Sequence, residues 1–295
     1  MMMILGIPAP LLFGQLLLGL INGAFYALLS LGLAIIFGML NIVNFAHGAL
    51  FMLGAFVAWG LLEYTGIGYW WALLFAPLIV GVFGVVLERL FICKLYKLDH
   101  LYGLLLTFGI ALILEGLVRN YYGSSGLPYR IPKELQGAQD LGFMMMPNYR
   151  GWVVVAAAIV CFVTWVVIVK TSIGAKLRAA TENAPLVQSF GINVPRMITL
   201  TSGAGVALAA FAGVLAAPIY SVNPNMGSNF IIVVFAVVVI GGMGSILGSI
   251  VTGFGLGIVE GLTRVFYPEG SATVIFVVMV IVLLARPAGL FGRAH

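Results

Sequence analysis

Charge is what this sequence has least of. Its 295 residues hold 14 Lys and Arg and 9 Asp and Glu, 8% of the chain, where a soluble domain carries roughly 25%. So few charges cannot cover a soluble surface of this size, which excludes a soluble enzyme. A hydrophobic content of 62% excludes a disordered regulator. The two cysteines, Cys93 and Cys161, are too few for a disulfide-rich secreted module. Both lie in apolar runs, where small buried hydrophobes are expected. Histidine stands only at 47, 100 and 295, and the strings HExxH, CxxC and GxSxG are absent. Nothing in the sequence brings His47 and Ser245 together as an intramembrane catalytic pair. Also missing is the phosphate-cradling GxxxxGKS/T loop; Lys170-Thr171 lacks the preceding glycines. No cofactor is therefore expected on this chain, and an ATP-driven process would need its engine on another polypeptide. Met1–Phe13 has no positively charged region and does not read as a cleaved signal.

What is present is long apolar runs, at 11–38, 48–62, 69–92, 101–118, 151–169, 198–219, 230–243, 246–264 and 271–285. They do not alternate as barrel strands do, and a helix crossing lipid needs about 20 apolar residues. The expected fold class is all-α: one polytopic membrane bundle over 1–295, with eight to ten spans. Placing 88–100, 170–197 and 286–295 on one side gathers Arg89, Lys94, Lys97, Lys170, Lys176, Arg178, Arg196, Arg286 and Arg293 there. By the positive-inside rule that side is the cytoplasm. The C-terminus then lies inside and, with nine crossings, the N-terminus outside.

Two connections are long. Residues 120–150, with Pro128, Pro132 and Pro147, read as a mostly irregular extracytoplasmic loop. Residues 171–197 read as a cytoplasmic loop with a helical stretch, Ala175–Phe190, that Gly174 precedes and Gly191 closes. Pro185 is placed to split it in two. Such a compact element is something a partner protein can grip.

Glycine is abundant, 38 residues. Gly244 and Gly248, then Gly253, Gly257 and Gly261, recur every four residues, and Gly19–Gly23 repeats the spacing. Small residues on one helical face let backbones approach closely in lipid. The most informative stretch is Asn41-Ile42-Val43-Asn44-Phe45-Ala46-His47-Gly48, where polar groups interrupt some fifty apolar residues. Two readings stand. One is a broken helix whose new N-terminus, near His47 and Gly48, borders a solute path. The other is a plain turn between two spans. Glu88–Arg89, Glu115–Arg119 and Glu260–Arg264 sit at span ends and suggest interfacial ion pairs rather than a proton relay. An ion- or proton-coupled carrier remains the alternative to an ATP-driven one.

Several strings together resemble one family. Tyr26-Ala27-Leu28 through Gly38, Val43-Asn44-Phe45-Ala46-His47-Gly48 and Met52-Leu53-Gly54-Ala55 look like the permease of branched-chain amino acid (Liv-type) ABC importers. So do Gly174-Ala175-Lys176-Leu177-Arg178-Ala179, Glu182-Asn183, Gly191-Ile192-Asn193, Gly241-Gly242-Met243-Gly244-Ser245 and Arg286-Pro287-Ala288-Gly289-Leu290-Phe291-Gly292. One departure is Ala49, at a position where the family's pattern often has an acidic residue. The resemblance implies two cytoplasmic ATPase subunits that use ATP and Mg, and a second homologous permease or a self-dimer. It also implies an extracytoplasmic solute-binding protein, and no nucleic acid. Gly174, Arg178, Glu182, Asn183 and Gly191 would then couple to an ATPase, and Asn41, Asn44, His47 and Gly48 would border the solute path. Urea, short amides and aromatic acids follow branched-chain amino acids as solutes, since related permeases share the scaffold.

Overall fold

The computed structural model describes residues 3–4, 7–40, 42–96, 98–142 and 144–292. Asn41, Lys97 and Arg293, named above, lie outside the described residues. Among the described residues there are eleven α-helices: α1 (Ala9–Leu40), α2 (Ala46–Thr65), α3 (Tyr69–Leu90), α4 (His100–Tyr122), α5 (Asn148–Lys170), α6 (Ser172–Glu182), α7 (Ala184–Ser189), α8 (Val194–Tyr220), α9 (Met226–Gly241), α10 (Ile246–Phe266) and α11 (Val274–Ala285).

Each of the nine apolar runs is one helix, and α6 and α7 are the two outside that set. Seven are long and apolar enough to cross a membrane. The other two, α9 and α11, have 16 and 12 residues, or about 24 and 18 Å of helix against a hydrocarbon core of about 30 Å. The chain is thus a polytopic helical membrane bundle.

The middle of the bundle is α1 and α8. From Gly23 to Ile36 every side of α1 is buried, and Ala209–Ala217 of α8 is nearly so. Around them α3, α4, α5 and α11 turn Leu78, Leu101, Leu105, Phe162 and Leu284 outward. That apolar exterior suits lipid, where no water competes for the helices' internally paired backbone groups.

The tightest seam joins α1 to α10. A Cβ on Gly253 would lie 2.5 Å from Ala27 Cα, and one on Gly261 2.5 Å from the Gln15 carbonyl oxygen. Gly257 meets the backbone of Gly19 and Gly23. Gly244 departs from the expected stripe. It lies in the turn before α10 with a left-handed φ of 81°, so it shares no helical face with Gly248. Ser245 caps α10, its Oγ accepting from Gly248 N at 3.1 Å, and that cap sets the helix start two residues beyond Gly244.

The 120–150 connection is less irregular than the prolines suggest. Ala138–Asp140 pairs antiparallel with Met145–Pro147 as a short hairpin, and Leu127 bridges Val222. Cys161 is buried as expected, but Cys93 is partly exposed. It sits in the single 3-10 turn Ile92–Leu95 that closes α3.

The ends of α1, α3 and α5 and the starts of α8 and α10 meet at one end of the bundle. Met39 packs with Ala180, Val187 and Val194 there, and Gly38, Ile168, Leu177 and Ile246 line one small cleft. The terminal segment joins them, with Leu290 N donating to Ile240 O at 2.8 Å and Phe291 N to Gly241 O at 3.1 Å. Arg89, Lys94, Lys170, Lys176, Arg178, Arg196 and Arg286 all belong to this end.

Candidate solute path and coupling surface

The helical ladder stops at Leu40 and resumes at Ala46. Asn44, 3% exposed, turns the chain: its Oδ1 accepts from Ala46 N at 3.0 Å and its carbonyl accepts from His47 N at 3.2 Å. Buried backbone groups left open by a break must find partners, and a side chain from α4 supplies two more contacts. Thr107 Oγ1 accepts from Phe45 N at 3.1 Å and donates to Val43 O at 3.2 Å. Thr107 is fully buried. It lies seven residues inside α4, about 10 Å along the axis.

His47 is fully buried too, and its Nε2 lies 3.1 Å from Leu29 O. Leu29 is eleven residues before the end of α1, about 16 Å along the helix. The N-terminus of α2 is therefore inset into the bundle rather than placed at its end. The connection is thus a turn between two spans whose α2 side is buried in the bundle, so it is not confined to the surface. Room for the imidazole comes from Gly32, where a Cβ would lie 3.0 Å from His47 Cε1. His47 Nδ1 is buried without a partner. A Cβ on Gly48 would lie 2.7 Å from Gly227 O, so Gly48 sits where α2 crosses α9. Phe45 packs against Phe108 and Phe235, with ring centroids 6.4 and 6.0 Å away. Asn44, His47 and Gly48 thus gather within one chain, together with Thr107 and Gly32, which sequence reasoning missed. A threonine in an apolar helix and a glycine in a glycine-rich chain carry no distinguishing pattern.

The 171–197 segment folds as a two-helix knob. The break falls at Asn183, whose Oδ1 caps α7 by accepting from Leu186 N at 3.0 Å, with Pro185 in the first turn. Gly191 closes the unit with φ 78°, its N–H donating to Gln188 O at 2.9 Å. The first helix begins at Ser172, earlier than the Ala175 expected, so Gly174 lies inside it and is buried against the Ile168 backbone. The Arg178 guanidinium donates to Ile168 O, a last-turn carbonyl of α5 that has no helical partner. Gly174, Arg178 and Asn183 therefore tie the knob together and to the bundle. The outward face carries Glu182 and Gly191, and two large apolar side chains that sequence reasoning missed: Leu186, 53% exposed, and Phe190, 76% exposed.

Glu260 extends an expectation. Its pair with Arg264 is present at 2.6 Å, and the carboxylate is in addition buried inside the bundle. It also accepts from Tyr26 OH at 2.8 Å and Asn22 Nδ2 at 3.4 Å, and Tyr220 OH donates to Asn22 Oδ1 at 3.1 Å. Three helices are cross-braced by this network. The other two pairs are not in salt-bridge contact: Arg119 donates to Asn225 Oδ1 at 2.5 Å, and Glu88 accepts from Tyr96 OH. Burial, and after it the contact with Glu88, push the Tyr96 phenol upward from its ordinary range.

A membrane bundle with an inset helix break and a rigid knob at its basic end has the parts of a multi-pass permease subunit. The family model described as "Branched-chain amino acid transport system / permease component" matches residues 15–283, and the chain belongs to that family. It is 30% identical over 296 residues to the high-affinity branched-chain amino acid transport system permease protein LivH of Escherichia coli K12, covering 95% of each chain. To the corresponding permease protein BraD of Pseudomonas aeruginosa it is 31% identical over 292 residues, again 95% of each. A probable branched-chain amino acid transport permease protein LivM of Methanocaldococcus jannaschii is 31% identical over 172 residues, 54% of this chain and 45% of that one. No solved structure matches.

Proposed function

We propose that the chain is the permease subunit of an ATP-driven ABC importer for branched-chain amino acids, in a bacterial or archaeal cytoplasmic membrane. The observation that carries this reading is the family match over 15–283, which takes in the break, the knob and the α1–α10 seam together. The names of the relatives favour branched-chain amino acids over urea, short amides and aromatic acids. Similarity to both LivH- and LivM-named permeases supports pairing with a second homologous permease rather than with a copy of itself.

The basic end faces the cytoplasm, with the C-terminus there and the N-terminus outside. Two ATPase subunits, which use ATP and Mg, dock at that end, and a solute-binding protein delivers at the other. This chain holds no cofactor and performs no catalysis. Leu186 and Phe190 enter an apolar groove on an ATPase, with Glu182 and Gly191 at the rim. Since Gly174 and Arg178 anchor the knob to α5, movement of the ATPase is passed directly to the ends of α5 and α1. The solute path runs by the break, where the positive end of α2 suits a carboxylate. Opening it exchanges the bonds of Asn44 and Thr107 to the Phe45–His47 amides for bonds to solute.

The test is leucine uptake into liposomes holding the complete complex. Uptake must require ATP, the ATPases and the binding protein. Uptake by this chain alone, or uptake abolished by dissipating an ion gradient with ATP present, would overturn the reading.

A further inference from the structure

At the basic end, where α3 and α8 diverge, lies a half-open cleft of about 220 Å³ lined by Glu88, Arg89, Cys93, Tyr96, Pro195, Arg196 and Thr199. The two helices touch tightly just above it: a Cβ on Gly84 would lie 2.7 Å from Val206 Cγ2. Beyond that contact the turn after α3 carries Cys93 and Tyr96 along the edge of the gap. Such a volume is several times the roughly 30 Å³ of one liquid water. It falls short of the ~300 Å³ at which pockets for drug-sized ligands begin.

The chemistry of the lining is specific. Glu88 is 2% exposed. One carboxylate oxygen takes the Tyr96 hydroxyl; the other, Oε2, is buried with no partner. A buried carboxylate oxygen without a donor is costly, and the residue borders the cleft. The same cleft is lined by Arg89 and Arg196, both exposed. The backbone offers little besides. Asn193 Oδ1 already takes the Arg196 N–H at 3.0 Å, Thr199 Oγ1 donates to Pro195 O at 3.1 Å, and Cys93 Sγ donates to Arg89 O at 2.8 Å.

We propose that this cleft binds a small zwitterion, its primary ammonium on the Glu88 carboxylate, which turns Oε2 toward the cleft to receive it, and its anionic group on Arg89 and Arg196. Two sources share that chemistry: a free α-amino acid in the cytoplasm, and the headgroup of phosphatidylethanolamine. For the free amino acid the inference rests on the transport reading, and the cleft becomes a site where imported solute acts back on the permease. It is separated from the α2 break by the α3–α8 contact, so occupation here does not block the path itself.

Cys93 provides a reporter in place, since Cys161 is buried. The purified complex, without its binding protein, is placed in nanodiscs of phosphatidylcholine and phosphatidylglycerol, and alkylation of Cys93 by N-ethylmaleimide is followed by intact mass. Leucine is expected to slow alkylation. Isoamylamine and isocaproate, each carrying one of its two charges, should protect at concentrations about tenfold higher or more, as expected for loss of one charged hydrogen-bonded contact. Arg196→Gln, at an exposed position, and Glu88→Gln should both abolish protection. If phosphatidylethanolamine in the disc protects Cys93 and leucine adds nothing, the lipid headgroup is the occupant. Equal protection by leucine and isoamylamine, no protection by either zwitterion, or protection that survives Arg196→Gln would overturn the proposal. The readout is binding, so it fails or holds independently of whether leucine is the transported solute.

Discussion

Thr107→Val tests the break most directly. Valine fills the same volume, so the fully buried site beside Val43 and Phe45 neither collapses nor overpacks. What disappears is one oxygen that accepts from Phe45 N and donates to Val43 O. An unpaired buried donor costs about 1–3 kcal/mol, or roughly 5- to 150-fold in the equilibrium that holds the break closed. The assay is hydrogen exchange of the segment 42–49 in the purified complex, read by mass spectrometry. Exchange there should rise by about tenfold or more, while the α1–α10 seam stays protected. Thr107→Ser keeps the oxygen and should restore slow exchange. Unchanged exchange in Thr107→Val, or acceleration in the serine variant equal to that in the valine variant, would refute the bracing role of the hydroxyl.

Phe190→Asp, at a position 76% exposed, should leave the bundle folded but remove the ATPases from the purified complex; co-purification at full yield would count against the knob. Glu182→Lys should weaken the same docking to a lesser degree by placing a cation at the rim. Gly253→Val forces a branched side chain onto the Ala27 backbone, where even Cβ would stand 2.5 Å away. Overpacking of this kind costs about 1–3 kcal/mol or more, read as a lower melting temperature in detergent. Asn44→Leu removes the acceptor for Ala46 N and should lower leucine uptake at equal expression.

The architecture was readable because membrane spans are specified by length and apolarity alone. Each of the nine runs became one helix, and the polar string at 41–48 marked the chain break. Proline and glycine were equally legible in the knob, where Pro185 opens α7 and Gly191 closes it. What escaped were facts of tertiary placement. Thr107 matters only because the α2 start is inset to its level. Glu260 and Arg264 showed one helical turn of spacing, which says nothing about whether that face meets α1 or lipid. Gly244 has the right spacing from Gly248 but a cap at Ser245 intervenes. Arg178 was expected among the ATPase contacts, and its guanidinium also reaches the open carbonyl of Ile168 while staying exposed.

The glycine seam also bears on how the chain is made. Asn22 and Glu260, bonded across it, are 238 residues apart in sequence. At about 5–20 residues per second of synthesis, α1 waits roughly 12 to 50 seconds in the membrane for its partner to emerge. Throughout that interval its row of bare backbone, Gly19, Gly23 and Ala27, faces lipid or a chaperone of the insertion machinery. The bundle is therefore sealed late in biogenesis, by nearly the last span to be inserted.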